Sequence, residues 1–503
     1  MRNSIGKSTL LITASKLASL VMNMACVMVL SRIRTLDEYG TYSQLLMAVN
    51  LVSMLLILGL PNSINYFLAR EETNEGRRSY LNNYFTLNLL LSGAAGLVLF
   101  FGTPVLEWYF HNEEISTYSF FLLLYPFASI TMSATESLLV VYERPRTLVL
   151  YRLLNSLSLL GILIIIDALG MSFRQYMVLF LATELCFAFA VYAIASRLAG
   201  GLRLAFSAKK LRDIAAFCVP IGLASAVGTL SAELDKLVIS AFFTTSEYAI
   251  YTNAAKELPL SVLASATTTV VMPKVVQYLH RGENERAVRL WKDAFALNYS
   301  VMAVMVFGIV TFAPEVITIL YSEKYLPGVT VFRIYTLLLL LRCTYFGMML
   351  NAMGKTKYIL RVSILALCLN VVLNIACYYV FGFTGPAIAT VLECVASAMI
   401  YVLLTSKHLS ISITYLLPIK TLSLITLVNM LFSFAFYGLK KILPLEHIVQ
   451  AGTLGSDRMP VESVGQCTES VFLGIIWCLL YFLVMYRFMR KKWDQLNKTG
   501  AED

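Results

Sequence analysis

Apolar runs of about twenty residues recur from one end of this chain to the other, and this recurrence limits what the chain can fold into. A helix needs about 20 mostly apolar residues to cross the hydrocarbon core of a bilayer. Fourteen such runs are bounded by charges or turn residues, over 8–30, 42–68, 80–101, 118–141, 147–166, 176–195, 216–243, 250–275, 294–312, 329–350, 358–381, 386–406, 421–439 and 471–486. Of the 503 residues 58% are hydrophobic and 14% charged, whereas soluble domains carry about 25% charge. A soluble enzyme on a single anchor is excluded, and the expectation is an all-α integral membrane protein with fourteen transmembrane helices. No small-residue cleavage site follows the first run, which therefore reads as a span and not as a signal peptide.

The net charge of +10 would suggest nucleic acid in a soluble chain, but here the basic residues mark topology. Connections on the side of the N-terminus hold 28 Lys and Arg residues and those on the other side hold 7. The asymmetry predicts that both termini are cytoplasmic. With Arg152, Lys274 and Arg361, which lie within a few residues of run ends, counted among those 28, five cations remain inside the runs: Lys16, Lys236, Lys256, Arg333 and Arg342. An isolated charge at the bilayer centre costs at least about 2.5–3.5 kcal/mol, so such groups need water, a partner or a ligand. Arg333, about one turn from the end of its run, reads as a snorkelling side chain.

The chain also repeats itself. Phe85-Thr86-Leu87-Asn88 matches Phe295-Ala296-Leu297-Asn298 and Pro104 matches Pro314, both at an offset of 210, while Tyr39 matches Tyr248 and Glu184 matches Glu393 at 209. Six runs fit in one repeat, an even number, so the two halves share one orientation and form a parallel repeat. The expected division is an N-terminal lobe at 1–200, a C-terminal lobe at 201–412, and two extra helices with a basic tail at 413–503. Two such lobes around a central cavity are a common construction for alternating-access transport.

Polar residues support a cavity. Ser225, Thr229, Glu233, Lys236 and Ser240 recur at helical spacing on the seventh run, and Lys16, Ser19 and Asn23 do so on the first. Lys16, Asn23, Lys236, Lys256 and Arg342 are the candidate substrate-binding residues, because cations in a low-dielectric path attract phosphate strongly. The competing reading pairs each cation with a nearby acid, Glu233 or Asp235 for Lys236 and Glu257 for Lys256. Glu233 and Asp235 are alternatively the carboxylates that load and release a coupling proton or sodium ion. Glu184 and Glu393, repeat-equivalent, fit hydrogen bonding within a lobe better than a site.

Nothing points to a catalytic or metal centre. The nine cysteines have no zinc or redox spacing and the four histidines are scattered. Gly6-Lys7-Ser8 lacks the strand and first glycine of a phosphate-binding loop, so neither direct ATP use nor another cofactor is expected. The runs Lys209-Lys210-Arg212 and Arg490-Lys491-Lys492 are expected to touch anionic lipid.

Four segments carry a family likeness: Ser31-Arg32-Ile33-Arg34-Thr35-Leu36-Asp37-Glu38-Tyr39-Gly40-Thr41-Tyr42, Leu58-Gly59-Leu60-Pro61-Asn62-Ser63, Asp235-Lys236-Leu237-Val238-Ile239, and Leu350-Asn351-Ala352-Met353-Gly354-Lys355-Thr356. With them the chain resembles the polysaccharide transporter branch, O-antigen flippases included, of the multidrug/oligosaccharidyl-lipid/polysaccharide exporter superfamily. The likeness runs over the first twelve spans. It implies a flippase in the bacterial cytoplasmic membrane that moves an undecaprenyl-diphosphate-linked oligosaccharide between leaflets for surface polysaccharide synthesis. Its implied partners are that glycan, membrane lipids, a polysaccharide polymerase and assembly proteins, and not nucleic acid. Two alternatives stand beside it. A multidrug exporter of the same superfamily fits the cationic interior less well. A membrane-embedded polymerase or ligase would need a large outer loop rich in Arg or His, which is missing here.

Overall fold

The computed structural model describes residues 2–57, 59–256, 258–442 and 461–501. Every regular element among them is helical, as lipid requires, because a single spanning segment satisfies its own N–H and C=O groups only as a helix. In chain order the helices are α1 (Arg2–Ile33), α2 (Leu36–Ile57), α3 (Leu60–Phe67), α4 (Asn74–Phe101), α5 (Thr103–Phe110), α6 (Glu114–Thr117), α7 (Ser119–Ser133), α8 (Thr135–Val141), α9 (Pro145–Ala168), α10 (Phe173–Ala199) and α11 (Ala208–Phe242). Then follow α12 (Thr245–Ala254), α13 (Ser261–His280), α14 (Asn284–Thr311), α15 (Ala313–Leu320), α16 (Val329–Leu338), α17 (Met348–Ala352), α18 (Thr356–Phe381), α19 (Gly385–Leu409), α20 (Ile413–Leu416), α21 (Ile419–Ile442) and α22 (Val461–Ala501).

Among the described residues ten helices are long and apolar enough to cross a membrane, or eleven when α11, bent by 48° between Pro220 and Ser225, is taken as one span. The chain is a multi-pass membrane protein. Several expected runs are not continuous helices. The run 42–68 breaks after α2, where Gly59 takes the left-handed conformation at φ 75° and Pro61 restarts the chain as α3. The run 250–275 is split between α12 and α13, since Pro259 has no N–H to continue a helix and disfavours helix before it. The run 329–350 is α16 and α17 with nine residues of tight turns between them.

The repeat reappears as matched helices. α4 and α14 each have 28 residues, and α5 and α15 each have 8 and carry a proline, Pro104 or Pro314, in the first turn. The helix starts are locally encoded too: Thr73 caps α4 by accepting from the Gly76 N–H at 3.0 Å, and Ser172 with Gln175 forms a capping box on α10.

The chain divides into two compact units, Met1–Ile250 and Tyr251–Asp503. In the first, Leu60, Ile64, Leu81, Tyr84 and Phe85 centre a core with Ile214 of α11. Packing groups α11 with this unit, against α2, α3, α4 and α5, although the repeat counts it as the opener of the second half. Hydrophobicity does not drive helices together in lipid, so close packing and hydrogen bonds must. Gly96 illustrates this: a Cβ there would stand 2.1 Å from the Leu123 carbonyl oxygen, so only glycine lets α4 approach α7.

The second unit is centred on α14. One face carries Leu290, Trp291, Ala294 and Phe295 against α13 and the 339–352 segment. Another carries Ala303, Val304 and Phe307, on which Phe436 of α21 and Trp477 and Tyr481 of α22 are seated. The Tyr481 hydroxyl donates to the Ser300 carbonyl at 2.8 Å. The last two helices are therefore built into this unit's core.

Candidate functional site

Two polar pockets hold sequence-predicted residues, one within each unit. In the first unit a pocket of about 360 Å³ is walled by Lys16, Ser19 and Asn23 of α1 with residues of α7, α8 and α9. Its acid, Glu136, is taken by Arg152 at 2.6 Å. Ser156 donates to Asn23 Oδ1 at 3.4 Å, and the neighbouring Asn155 donates to the buried Glu184 at 3.0 Å. Lys16 is exposed to the pocket and, among the described residues, makes no ion pair. The wall thus offers an ammonium whose competing carboxylate is already neutralised. Lys16 and Asn23 are brought together as the helical spacing required.

In the second unit Arg342 opens on a pocket of about 530 Å³ with Ser265, Thr268, Glu393, Cys394, Ser397 and Tyr401. It sits on the irregular backbone between α16 and α17, where its N–H bonds back to Leu339 O at 3.1 Å. Non-helical backbone at membrane depth is tolerated where it lines a cavity or is buried in protein, so the broken run and the pocket belong together. The Arg342 guanidinium lies against Cys394, and Ser397 donates to Glu393 at 2.7 Å. This cation therefore shares its wall with an acid.

The seventh run behaves differently from the first. On α11 Lys236 is paired with Glu233 at 2.8 Å, the two side chains 20% and 31% exposed, while Asp235 is buried. The next carbonyl, that of Leu237, accepts from the Tyr109 hydroxyl at 3.0 Å, and burial pushes that hydroxyl above the ordinary tyrosine range. Lys236 thus has the local acid that the competing reading assigned to it. Lys256 is exposed just after α12, and Glu257 lies outside the described residues. The Glu136–Arg152 pair has no local signature, since in the sequence Arg152 is one of the 28 basic residues that mark the cytoplasmic side.

The helices are long and apolar, several are interrupted, and the pockets they line are polar and charged; the comparisons with known proteins show which fold this is. The family model described as polysaccharide biosynthesis protein matches residues 29–330, and the chain belongs to that family. A curated relative, the probable low-salt glycan biosynthesis flippase Agl15 of Haloferax volcanii, is 21% identical over 220 residues, 43% of this chain. The match spans 46% of that relative's length, so the chain covers about half of it. Among solved structures, the lipid II flippase MurJ in an inward closed conformation aligns with a TM-score of 0.70 at 15% identity, over 95% of this chain and 100% of that one. An inward-facing multidrug resistance MATE family transporter of the MOP superfamily aligns with a TM-score of 0.59 at 19% identity, over 78% and 94%. The fold is that of the multidrug/oligosaccharidyl-lipid/polysaccharide exporter superfamily.

Proposed function

We propose that the chain is a flippase that moves a lipid-linked oligosaccharide, carried on undecaprenyl diphosphate, across the bacterial cytoplasmic membrane by alternating access. It catalyses no reaction; both termini are cytoplasmic, and fourteen crossings form the lobes 1–200 and 201–412 with 413–503 added. The observation that carries this reading is Lys16, a cation without an ion-pair partner among the described residues, on the wall of a polar pocket and within a helix apolar enough to cross a membrane. A diphosphate is very costly to move through hydrocarbon unless positive groups accompany it. Lys16 and Asn23 are the residues that meet the head group in the first unit's pocket, and Arg342 is the one that does so in the second unit's, while the lipid tail stays in the bilayer. Lys256 is a further cation for the acidic substrate, and the Glu233–Lys236 pair with Asp235 is where a proton or sodium ion would couple. A polymerase and assembly proteins receive the flipped glycan.

Support comes from the family, from the likeness to the flippases Agl15 and MurJ, and from the Lys16 wall, whose net positive charge suits an anion better than the cationic drugs of a multidrug exporter. The test is the leaflet in which lipid-linked glycan accumulates when the chain is removed. Accumulation in the inner leaflet is expected; unpolymerised units outside would overturn the flippase reading. Reporter fusions after Arg78, Arg146 and Lys210 are expected to read cytoplasmic, and one near Asn112 external.

A further inference from the structure

The second unit contains another pocket, unrelated to the candidate transport residues. It has a volume of about 640 Å³ and is lined by Arg289, Lys292 and Asp293 of α14, by residues 414–421 around the start of α21, and by Lys492 and Gln495 of α22. Three segments far apart in sequence, all assigned by charge to the cytoplasmic side, meet here. Lys492 pairs with Asp293 at 2.6 Å and neutralises it. Arg289, Lys292 and Lys420 are left as an excess of three cations.

Lys292 is held in place, while Arg289 and Lys420 are exposed. The Lys292 ammonium donates to the Tyr415 carbonyl and lies 4.4 Å from the centroid of its ring, which leaves two of its three donors for a ligand. The 24-residue α21 begins at Ile419, so its first N–H groups and the positive end of its dipole are at the same wall. Leu417, Pro418 and Ile419 make the wall apolar on one side. Ile419, 51% exposed, carries that apolar wall to the surface; Trp493, next to Lys492 in the chain, is 57% exposed, and tryptophan is enriched at the level of lipid headgroups.

We propose that this pocket binds a lipid headgroup that carries two phosphate groups. Three cations exceed what one phosphodiester needs, and charge-assisted bonds from Arg and Lys are the strong way to hold phosphate oxygens. The apolar flank suits an acyl or polyprenyl chain and is of no use to a free anion. Basic pockets between helices on the cytoplasmic side are a known way of recognising such headgroups. The site does not depend on the transport reading, because none of its residues is placed in the flipping path.

The test uses the full chain purified in detergent, with bound lipid read by native mass spectrometry. The probes are cardiolipin with two phosphodiesters, phosphatidylglycerol with one, a polyprenyl diphosphate, and inorganic pyrophosphate. The expected result is binding of both two-phosphate lipids at least tenfold tighter than phosphatidylglycerol. Arg289→Gln with Lys420→Gln is expected to weaken that preference; adding Lys292→Gln abolishes it, and Lys292→Arg with Lys420→Arg keeps it. A preference for cardiolipin makes the site one for bulk anionic lipid, and a preference for the polyprenyl diphosphate makes it one for the carrier lipid; either supports the proposal. Equal binding of phosphatidylglycerol, pyrophosphate binding as tightly as either lipid, or full binding by the glutamine variants would overturn it. Loss of glycan flipping in a chain that still binds these lipids would count only against the transport reading.

Discussion

The carboxamides of Asn88 and Asn298, 210 residues apart, perform the same task in their separate units. Asn88 donates to the Ile130 carbonyl at 3.4 Å and Asn298 to the Cys343 carbonyl at 3.1 Å. Both also accept from a threonine hydroxyl, Asn88 from Thr131 at 2.9 Å and Asn298 from Thr267 at 2.8 Å. In one unit the threonine follows the carbonyl on α7, and in the other it comes from α13. The repeat keeps the amide-to-backbone bond and exchanges the second partner.

Replacing either asparagine with leucine leaves a buried carbonyl and hydroxyl without their partner. Interhelical hydrogen bonds in membrane proteins average about 0.6 kcal/mol with a maximum near 1.7, so Asn88→Leu and Asn298→Leu are each expected to cost about 1 kcal/mol. Because the two sites share no partner, the double variant is expected to lose the sum. Unfolding of the detergent-solubilised chain in denaturant measures this, and an unchanged midpoint would argue that the bonds are incidental.

The Lys16 pocket makes an export prediction with a control built in. Lys16→Ala is expected to abolish glycan export at normal membrane abundance, with partial activity in Lys16→Arg. Arg152→Ala frees Glu136 on the same wall and is expected to lower export, while Arg152→Ala with Glu136→Gln removes the freed charge and restores part of it. Export assays on the four variants, normalised to protein amount, decide; normal transport by Lys16→Ala would end the head-group role of this residue.

Glu233 and Lys236 separate coupling from neutralisation. Removing one partner leaves the other charge uncompensated in a partly buried place, so Glu233→Gln and Lys236→Met are each expected to destabilise more than the double variant. If the double variant also transports at the normal rate, the pair is structural. If it folds but no longer responds to the ion gradient, the carboxylate carries the coupling.

Gly40 is a site where any side chain is excluded by another element. A Cβ there would lie 2.3 Å from the Thr245 carbonyl oxygen, and the contact is fastened one turn away by Ser246, which donates to Asp37 at 2.6 Å. Gly40→Val is expected to cost about 1–3 kcal/mol, the range for overpacking, and Gly40→Ala less. Thermal unfolding of the purified variants checks the order; a valine variant as stable as the parent would mean that α12 yields freely.

Much of the architecture was legible in the sequence because its causes are local. Apolar runs, caps such as Thr73, and the position of each Lys or Arg along the chain act within a few residues or on the membrane itself. They determined an all-helical, multi-pass protein, its repeat, and the shared face of Lys16 and Asn23. What tertiary structure decided depends on partners distant in the chain. The run 329–350 is apolar enough to pass for one span despite Arg333 and Arg342, so hydropathy could not reveal the turns that place Arg342 beside Glu393 and Cys394. Arg152 looked like one more topology marker until folding put it on Glu136 and left Lys16 unopposed. Arg289, Lys292 and Lys420 likewise became a single site only where α14 meets the start of α21, because charges brought together by packing have no signature in their own neighbourhoods.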